Sequence, residues 1–528
     1  MNPNKETGKA SRALGAGLCL ITILAVCYFI AFPMRGFYNS DYADTLTWAK
    51  ASVDAGALFS SDFTYACLLP FGGQLLMIPF VWLFGFSYTA HACGMIAFFL
   101  LLAVALRAFF RALGADTLWS SVCLLCVVGP LCSSEKLREV YFGHILYYSL
   151  GALFLLVGMT LYLTMDKDKD SKFSWRFAAF CVWCVLCSTD GLTSLSLFVL
   201  PLCAGIAFER LCDRKVKFLS EENFLRCRPL LYALCFSVLG LGLGALLRRG
   251  FSAPYQEAFS TFSADTDWGN NMLITPSSFL SLFTGPVALY QDLTSFAGIL
   301  AALRILFGLL VLAAPIAALF FFKHLHRGEK LLLIAHFTVS ATMLFAFIFG
   351  LLSNAEWRLS PMLFTALLST VCFFRRLSLL PFFKRFGLLL LAFCVLIAGL
   401  GLFEVVKMPA DNPPSGSAAA LANYLNDAGC TYGYASFWDA NAITVLSGDK
   451  IRCRNIEVST DSGLVTPAFY QSEHAWYNGQ GSGEVYFLLL TNEEFSYLNQ
   501  AELSGILSID HYQNHVLLLL SHDIFPKT

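Results

Sequence analysis

A small set of ionisable side chains stands in the loops that separate long apolar stretches of this chain. They are the acids Asp41, Asp44 and Glu139 and the cations Arg138, Arg249 and Arg358. A carboxylate can take a proton from an attacking hydroxyl group. A guanidinium matches the oxygens of a phosphate in a bidentate fork. These residue types therefore suit the transfer of a group away from a phosphate.

The composition identifies the elements that must hold these side chains. The chain has 528 residues, of which 57% are hydrophobic and 13% are charged, and its mean hydropathy is +0.64. Soluble proteins carry about twice that charged fraction. Apolar runs of about 20 residues are long enough to cross a bilayer as helices. The sequence therefore predicts a polytopic α-helical membrane protein with the bilayer as its partner, and nothing in it indicates nucleic-acid binding.

About eleven spans are predicted. They are Leu14–Phe32, Tyr88–Phe110, Leu118–Cys132, Ile145–Met165, Trp175–Thr189, Leu192–Phe208, Leu230–Leu247, Phe296–Phe322, Leu331–Leu352, Leu359–Phe374 and Phe386–Phe403. The first follows three cations but is too long for a signal peptide and lacks a cleavage site, so we interpret it as a retained helix.

The basic residues lie mostly in alternate loops, which fixes the topology. Among them are Lys5, Lys9, Arg12, Arg107, Arg111, Lys167, Lys169, Lys172, Arg210, Arg214, Lys215, Lys217, Lys323, Arg327, Lys330, Arg375, Arg376 and Lys384. By the positive-inside rule this side is cytoplasmic, with the N-terminus, in the plasma membrane. We expect a transmembrane domain over residues 1–403 with an external loop at 33–87. A linker at 404–417 and an extracytoplasmic α/β domain at 418–528 follow.

The tail predicts its own secondary structure. A helix is expected over Ala418–Asp427. Strands are expected over Tyr432–Phe437, Ala442–Leu446, Lys450–Val458, Val485–Leu490 and Gly505–Leu520, the last folding back near residues 510–514. Cys430 and Cys453 are the only cysteine pair there, and the sequence leaves open whether they form a disulfide.

The first external loop predicts an amphipathic helix lying on the membrane and closed by Gly56. Leu46, Ala49 and Val53 form its apolar side, and Ser40 or Asp41 is placed to cap it. Asp44 falls one turn after Asp41 on the same face. A plain N-cap with a solvated carboxylate is the alternative interpretation.

The order of features in this loop resembles the GT-C glycosyltransferases. An acidic residue follows the first span, then come an interfacial helix closed by Gly, a Pro/Gly-rich segment and an apolar stretch ending in Phe-Gly-Phe-Ser. The class includes protein mannosyltransferases, aminoarabinose transferases and RgtA-like transferases. The resemblance implies that Asp41 occupies the catalytic aspartate position. Tyr42 stands where the class usually has Glu, so either Asp44 takes the second acidic role or that role is absent.

The resemblance also implies roles for other external residues. By position, Glu139 is the second acid and Arg138 a phosphate contact, with a self-contained salt-bridge cluster as the alternative. Arg358 is the better phosphate candidate and Arg249 the next. The alternative for Arg358 is an ion pair with Glu356 alone. Asp190 is interpreted as a helix cap, with a catalytic role as the alternative. Candidate sugar or acceptor contacts are Tyr65, His144, Trp438 and Asp439. For His144 the alternative is a hydrogen-bonded histidine of the core. For Trp438 and Asp439 it is a strand followed by an ordinary Asx turn.

The expected activity is transfer of a sugar, with inversion, from a polyprenyl-phosphate donor to a glycan, lipid or protein acceptor of the cell envelope on the outer face. A transporter or flippase of lipid-linked saccharides and a non-catalytic glycan-binding protein are the rivals. Some members of the class use a divalent metal ion, but no ligand cluster in this sequence argues for one, so no cofactor is expected with certainty.

Overall fold

The computed structural model describes residues 3–165, 175–211, 221–251, 253–255, 261–285, 292–350, 355–410, 413–479 and 485–525. The predicted cytoplasmic cations Lys167, Lys169, Lys172, Arg214, Lys215 and Lys217 lie outside these ranges.

A bundle of apolar helices makes up the first four fifths of the chain. Its helices are α1 (Pro3–Ala31), α2 (Ser40–Ala55), α3 (Gln74–Phe84), α4 (Tyr88–Ala112), α5 (Thr117–Leu131), α6 (Glu135–Arg138), α7 (Tyr147–Met165), α8 (Trp175–Ser188), α9 (Leu192–Ser194), α10 (Leu200–Leu211), α11 (Glu221–Leu247), α12 (Asp265–Thr284), α13 (Phe296–Phe320), α14 (Arg327–Phe349), α15 (Ser360–Leu379) and α16 (Lys384–Lys407). A π-helical turn over Leu195–Val199 joins α9 to α10.

Nine helices in the described ranges are long and apolar enough to cross a membrane. The two predicted spans that fall short are α5 and α8. Helix α5 pairs with residues Glu135–Gly143 across a bend of 120°, as a broken span or a re-entrant loop. The described part of helix α8 has 14 residues, about 21 Å at the rise of an α-helix, which is shorter than the hydrocarbon core. The predicted class, a multi-pass helical protein with a small α/β domain, is confirmed.

The loops predicted to be cytoplasmic meet at one end of the bundle. Arg376 forms an ion pair with Glu329 at 2.9 Å, and Arg375 donates to the carbonyl of Gly114 at 3.1 Å. Arg327 pairs with Glu209 at 2.7 Å. The alternation of charge along the sequence therefore corresponds to a common end in space.

The tail forms a sheet with helices packed on it. Its elements are α17 (Ala418–Asp427), β1 (Tyr432–Ala435), α18 (Phe437–Leu446), β2 (Arg452–Val458), β3 (Val465–Pro467), β4 (Tyr486–Thr491), α19 (Asn492–Tyr497), β5 (Ile506–Tyr512) and β6 (His515–Leu520). The strand order is β3-β2-β1-β4-β6-β5. Strand β1 runs parallel to β2 and β4, and the remaining pairs are antiparallel.

The predicted strand at Ala442–Leu446 is wrong, because these residues belong to helix α18. Parallel pairing of β1 with β2 requires a crossover between them, and α18 supplies it. All residues from Ala440 to Leu446 are buried. Because every side of this short segment is covered, its sequence shows no alternation of apolar and polar residues that could distinguish a helix from a strand. Cys430 and Cys453 are both buried free thiols.

Candidate active site

Helix α2 places the two aspartates at its beginning. Asn39 caps it, with its side-chain oxygen accepting from the backbone N–H of Tyr42 at 3.3 Å. The predicted cap by Ser40 or Asp41 is therefore wrong. The Asp41 carboxylate is therefore not used in the cap of α2 and can interact with other groups. Gly56 ends the helix at φ 61°, as predicted.

Helix α2 does not lie on a surface as an amphipathic helix would. Its polar residues Asp44, Thr45 and Thr47 are as buried as its apolar ones. The sheet domain covers the helix, and Trp48 donates from its ring nitrogen to Gln471 at 2.5 Å. Because α2 is buried on both its polar and its apolar sides, the Asp44 carboxylate is shielded from water.

The acids Asp41, Asp44 and Glu139 act on one another electrostatically. Asp44 is 4% exposed, and one of its oxygens has no hydrogen-bond partner. Burial, with the charges of Asp41 and Glu139, raises its pKa well above the ordinary value. Burial also raises the pKa of Asp41, but the positive charge of Lys136 opposes that shift. Asp41 is therefore the more readily ionised member of this close pair.

Glu139 is tied to a cation of its own turn. Lys136 contacts both of its carboxylate oxygens, at 2.8 and 2.9 Å, and also lies 4.7 Å from the centre of the Trp357 ring. The cluster thus pairs Glu139 with Lys136, and Arg138 points elsewhere.

The three candidate phosphate cations occupy different surroundings. Arg138 is 6% exposed, donates to the carbonyl of Cys132 at 2.9 Å and lies over the rings of Phe29 and Phe37. Arg249 is exposed at the end of α11. Arg358 is half-buried on the turn before α15.

Arg358 and the two aspartates all act electrostatically on Tyr255. Its side chain is hydrogen-bonded to Tyr148, and a Cβ on Gly350 would lie 3.2 Å from its guanidinium. Glu356 instead accepts from Ser281 at 2.6 Å, and within the described ranges it forms no ion pair with Arg358. The predicted alternative, a self-contained pair with Glu356, is not what the structure shows.

Two tyrosines that sequence reasoning missed interact electrostatically with the acids, and one of them also with Arg358. The pKa of Tyr255 is raised by burial and by the charges of Asp41 and Asp44, while Arg358 opposes the rise. The pKa of Tyr470 is raised by burial and then by the same two aspartates. Both hydroxyls therefore sense the acids, although the two tyrosines are more than 200 residues apart in sequence. Neither has a local sequence signal that would have revealed this position.

An apolar cavity of about 580 Å³ lies next to this polar region, between α3, α4, α7 and α8. Phe71, Gly73, Ile145, Phe154 and Trp183 are among its lining residues. It also reaches outward-facing side chains, since the lining residues Leu101 and Val104 are 49% and 67% exposed. Such a volume is in the range of small-ligand sites.

The segment Gly143-His144-Ile145 runs between the cavity and the acids. A Cβ on Gly143 would lie 2.4 Å from the ring of Tyr42, the residue next to Asp41. Ile145 lines the cavity and packs equally closely on Gly73. A ligand whose apolar chain filled the cavity would therefore place a charged head group near the acids.

Asp190 holds the rim of this cavity instead of capping a helix. Gly191 precedes α9 without a side-chain cap, so the predicted cap by Asp190 is wrong. One oxygen of Asp190 accepts from the backbone N–H of Phe71 at 2.7 Å, and the other has no partner. Burial raises its pKa to about 7, against opposing contributions from this hydrogen bond and from Arg248.

Asp190→Asn should change how stability depends on pH. A carboxyl group with a raised pKa in the folded state binds its proton there before the unfolded chain does, so it stabilises the fold as pH falls from about 8 to about 5. Asparagine can still accept from Phe71 but cannot titrate. Thermal unfolding at both pH values should show a smaller gain on acidification for this variant than for wild type. The exposed, ion-paired Asp54→Asn should leave the gain unchanged, and an equal gain in Asp190→Asn would contradict the assignment.

The remaining predicted contacts have partners of their own. Tyr65 is 1% exposed, and its hydroxyl accepts from the N–H of Ser60 at 2.8 Å. His144 is 7% exposed, and burial with the charge of Lys136 lowers its pKa to about 3. Asp439 contacts His515 at 3.2 Å, whereas Trp438 is 59% exposed. The structure therefore brings His144 near the acids but gives Tyr65 a structural contact.

A metal ion would need ligands in a group. Within the ranges that the structure describes, no three His, Cys, Asp or Glu side chains are arranged to hold one.

No protein-family model and no curated protein matches the chain. Among solved structures it is similar to ArnT from Cupriavidus metallidurans bound to undecaprenyl phosphate, with a TM-score of 0.43 and 13% identity over 95% of this chain and 97% of that chain. The apo state of ArnT gives a TM-score of 0.42 and 14% identity over 98% of both chains. ArnT is a GT-C aminoarabinose transferase, the class that the first external loop resembles. At these TM-scores and identities the likeness carries no functional argument, so the side chains must carry any functional inference.

Proposed function

We propose that this protein is a membrane glycosyltransferase. It moves a sugar from a polyprenyl-phosphate donor to an envelope glycan, lipid or protein on the outer face of the plasma membrane. The observation that carries the proposal is the junction of an apolar cavity with a polar region containing Asp41, Asp44 and Arg358. A lipid phosphate has the same two parts, an apolar chain and an anionic head.

The proposed reaction needs few groups. The acceptor hydroxyl attacks the anomeric carbon, the bond from that carbon to the phosphate oxygen breaks, and the configuration inverts. Asp41 takes the hydroxyl proton, because it is the more readily ionised aspartate of the pair. Burial holds the proton of Asp44 more tightly than that of Asp41, because it raises the pKa of Asp44 further. Polyprenyl phosphate leaves as a stable anion, and Arg358 compensates its charge.

Among the three candidate cations, Arg358 has the surroundings that this role needs. Arg138 is occupied by a carbonyl and two rings, and no contact links Arg249 to the acids among the described residues. The charged residue Arg304 inside a predicted span does not favour a transporter either, because it is paired with Glu404.

The direct test is sugar release by the purified full-length chain. Undecaprenyl phosphate carrying a radiolabelled sugar, supplied with envelope extract as acceptor, should yield free undecaprenyl phosphate and a labelled product. Movement of intact labelled lipid across vesicles without sugar release would identify a transporter. If hexose, pentose and aminopentose donors give neither sugar release nor lipid movement, the proposal is contradicted.

A further inference from the structure

Tyr470 belongs to the sheet domain, yet its side chain lies at the membrane-domain site. Its ring centre is 4.5 Å from that of Tyr255, with the planes tilted by 35°, and 4.9 Å from that of Phe437. Tyr470 also packs against the buried cluster beneath α2 that contains Trp48 and Tyr65. The sheet domain therefore contributes a wall to the site.

The backbone around Tyr470 is fixed at an energetic cost. Gln471 is fully buried and has φ 57°, a left-handed conformation that non-glycine residues rarely adopt. Such residues persist where their surroundings over-determine them, and they concentrate at functional sites.

Hydrogen bonds from both domains hold this turn. Trp48 donates to the Gln471 side chain at 2.5 Å, and the Gln471 N–H donates to the carbonyl of Thr64 at 3.0 Å. Asn455 donates to the carbonyl of Tyr470 at 2.8 Å, and Asn441 to that of Gln471 at 3.2 Å. Trp48 and Thr64 come from the first loop, and the two asparagines from the sheet domain. The tyrosine is thus positioned from both domains.

Tyr255, whose ring packs on that of Tyr470, lies within electrostatic reach of the aspartates and of Arg358. Tyr255 interacts with the charges of Asp41, Asp44 and Arg358, and Tyr470 with those of the two aspartates. A sugar ring has one apolar C–H face and a rim of hydroxyls. An aromatic side chain with a polar tip offers the matching surface and loses little conformational entropy.

We propose that Tyr470 and Tyr255 form an aromatic platform on which the sugar of the donor stacks. Tyr470 is then a specificity-determining residue supplied by the sheet domain. The inference rests on the proposed function, since the ring it binds is the group to be transferred. Tyr470 recognises the sugar, whereas the lipid and phosphate are bound by other residues.

The test compares lipids with and without a sugar. Binding of undecaprenyl phosphate, and of the same lipid carrying a hexose, a pentose or an aminopentose, is measured on the full-length chain. Wild type should bind at least one sugar-bearing lipid more tightly than the bare lipid. Tyr470→Ala should reduce that advantage by about tenfold, while Tyr470→Phe should keep most of it and bare-lipid affinity should stay the same.

A matched control lies in the same domain. Tyr424 stacks on Tyr512 at 4.1 Å, away from the acids, so Tyr424→Ala should not change the advantage. An unchanged advantage in Tyr470→Ala, or an equal loss for the bare lipid, would overturn the inference. If Tyr470→Ala does not fold, Trp48→Phe removes the donor to Gln471 and keeps the tyrosine; it should lower the advantage by about threefold, and no change would be decisive against the platform.

Failure of the proposed function is visible separately. It would appear in the wild-type chain, as no preference for any sugar-bearing lipid and no sugar release, and it would overturn both proposals together.

Discussion

Asp41→Asn should lower the turnover of sugar transfer by on the order of a thousandfold, within the range for loss of a general base. The amide keeps the shape of the side chain and cannot accept the proton of the acceptor hydroxyl. Donor affinity should remain close to that of wild type, because the phosphate and lipid are held elsewhere. Initial rates with saturating labelled donor, together with equilibrium binding of the same donor, separate the two effects.

Asp54→Asn is the matched control for this change. Asp54 lies on the same helix, but it is exposed and paired with Lys50. Its loss should leave turnover unchanged. Turnover close to wild type in Asp41→Asn would remove Asp41 from the mechanism, and the base would then have to be sought at Asp44 or Glu139.

Arg358→Ala should weaken binding of the bare lipid phosphate by about 30-fold, the equivalent of ~2 kcal/mol for a lost charge-assisted hydrogen bond. Arg358→Lys should restore part of the affinity, since an ammonium keeps the charge but lacks the bidentate fork. Undecaprenyl phosphate titrated into each variant measures this without any knowledge of the sugar.

Arg249→Ala is the control, since Arg249 is the next candidate cation. Arg249 is exposed, so its removal should change affinity little. The reverse ranking, with Arg249→Ala the weaker binder, would assign the phosphate to the end of α11 and contradict the role of Arg358.

The sequence predicted the bundle well because apolar length and basic loops are local signals. It located Asp41 and Asp44 at the beginning of one helix, and that helix ends at Gly56 as expected. It placed α18 wrongly, because the parallel pairing of β1 and β2 that demands a helix there is a non-local fact.

The site was predicted only in part. The order of features in the first loop and the resemblance to the GT-C class led to the aspartates and to Arg358, but not to Tyr255 or Tyr470, whose meeting depends on docking of the tail. The many aromatic residues around Trp438 and Asp439 favoured these two as sugar or acceptor contacts. In the structure Asp439 contacts His515 and Trp438 is exposed. Asp190 resembled a cap because its partner, the N–H of Phe71, is 119 residues away.

The hydrogen bond between Trp48 and Gln471 joins residues 423 positions apart. During synthesis the aspartates of α2 are therefore made long before the turn that faces them. Every helix and the sheet domain must be in place before both walls of the candidate site exist. A nascent or truncated chain would carry the acids without their aromatic wall, so completion of translation sets the earliest moment at which the protein can act.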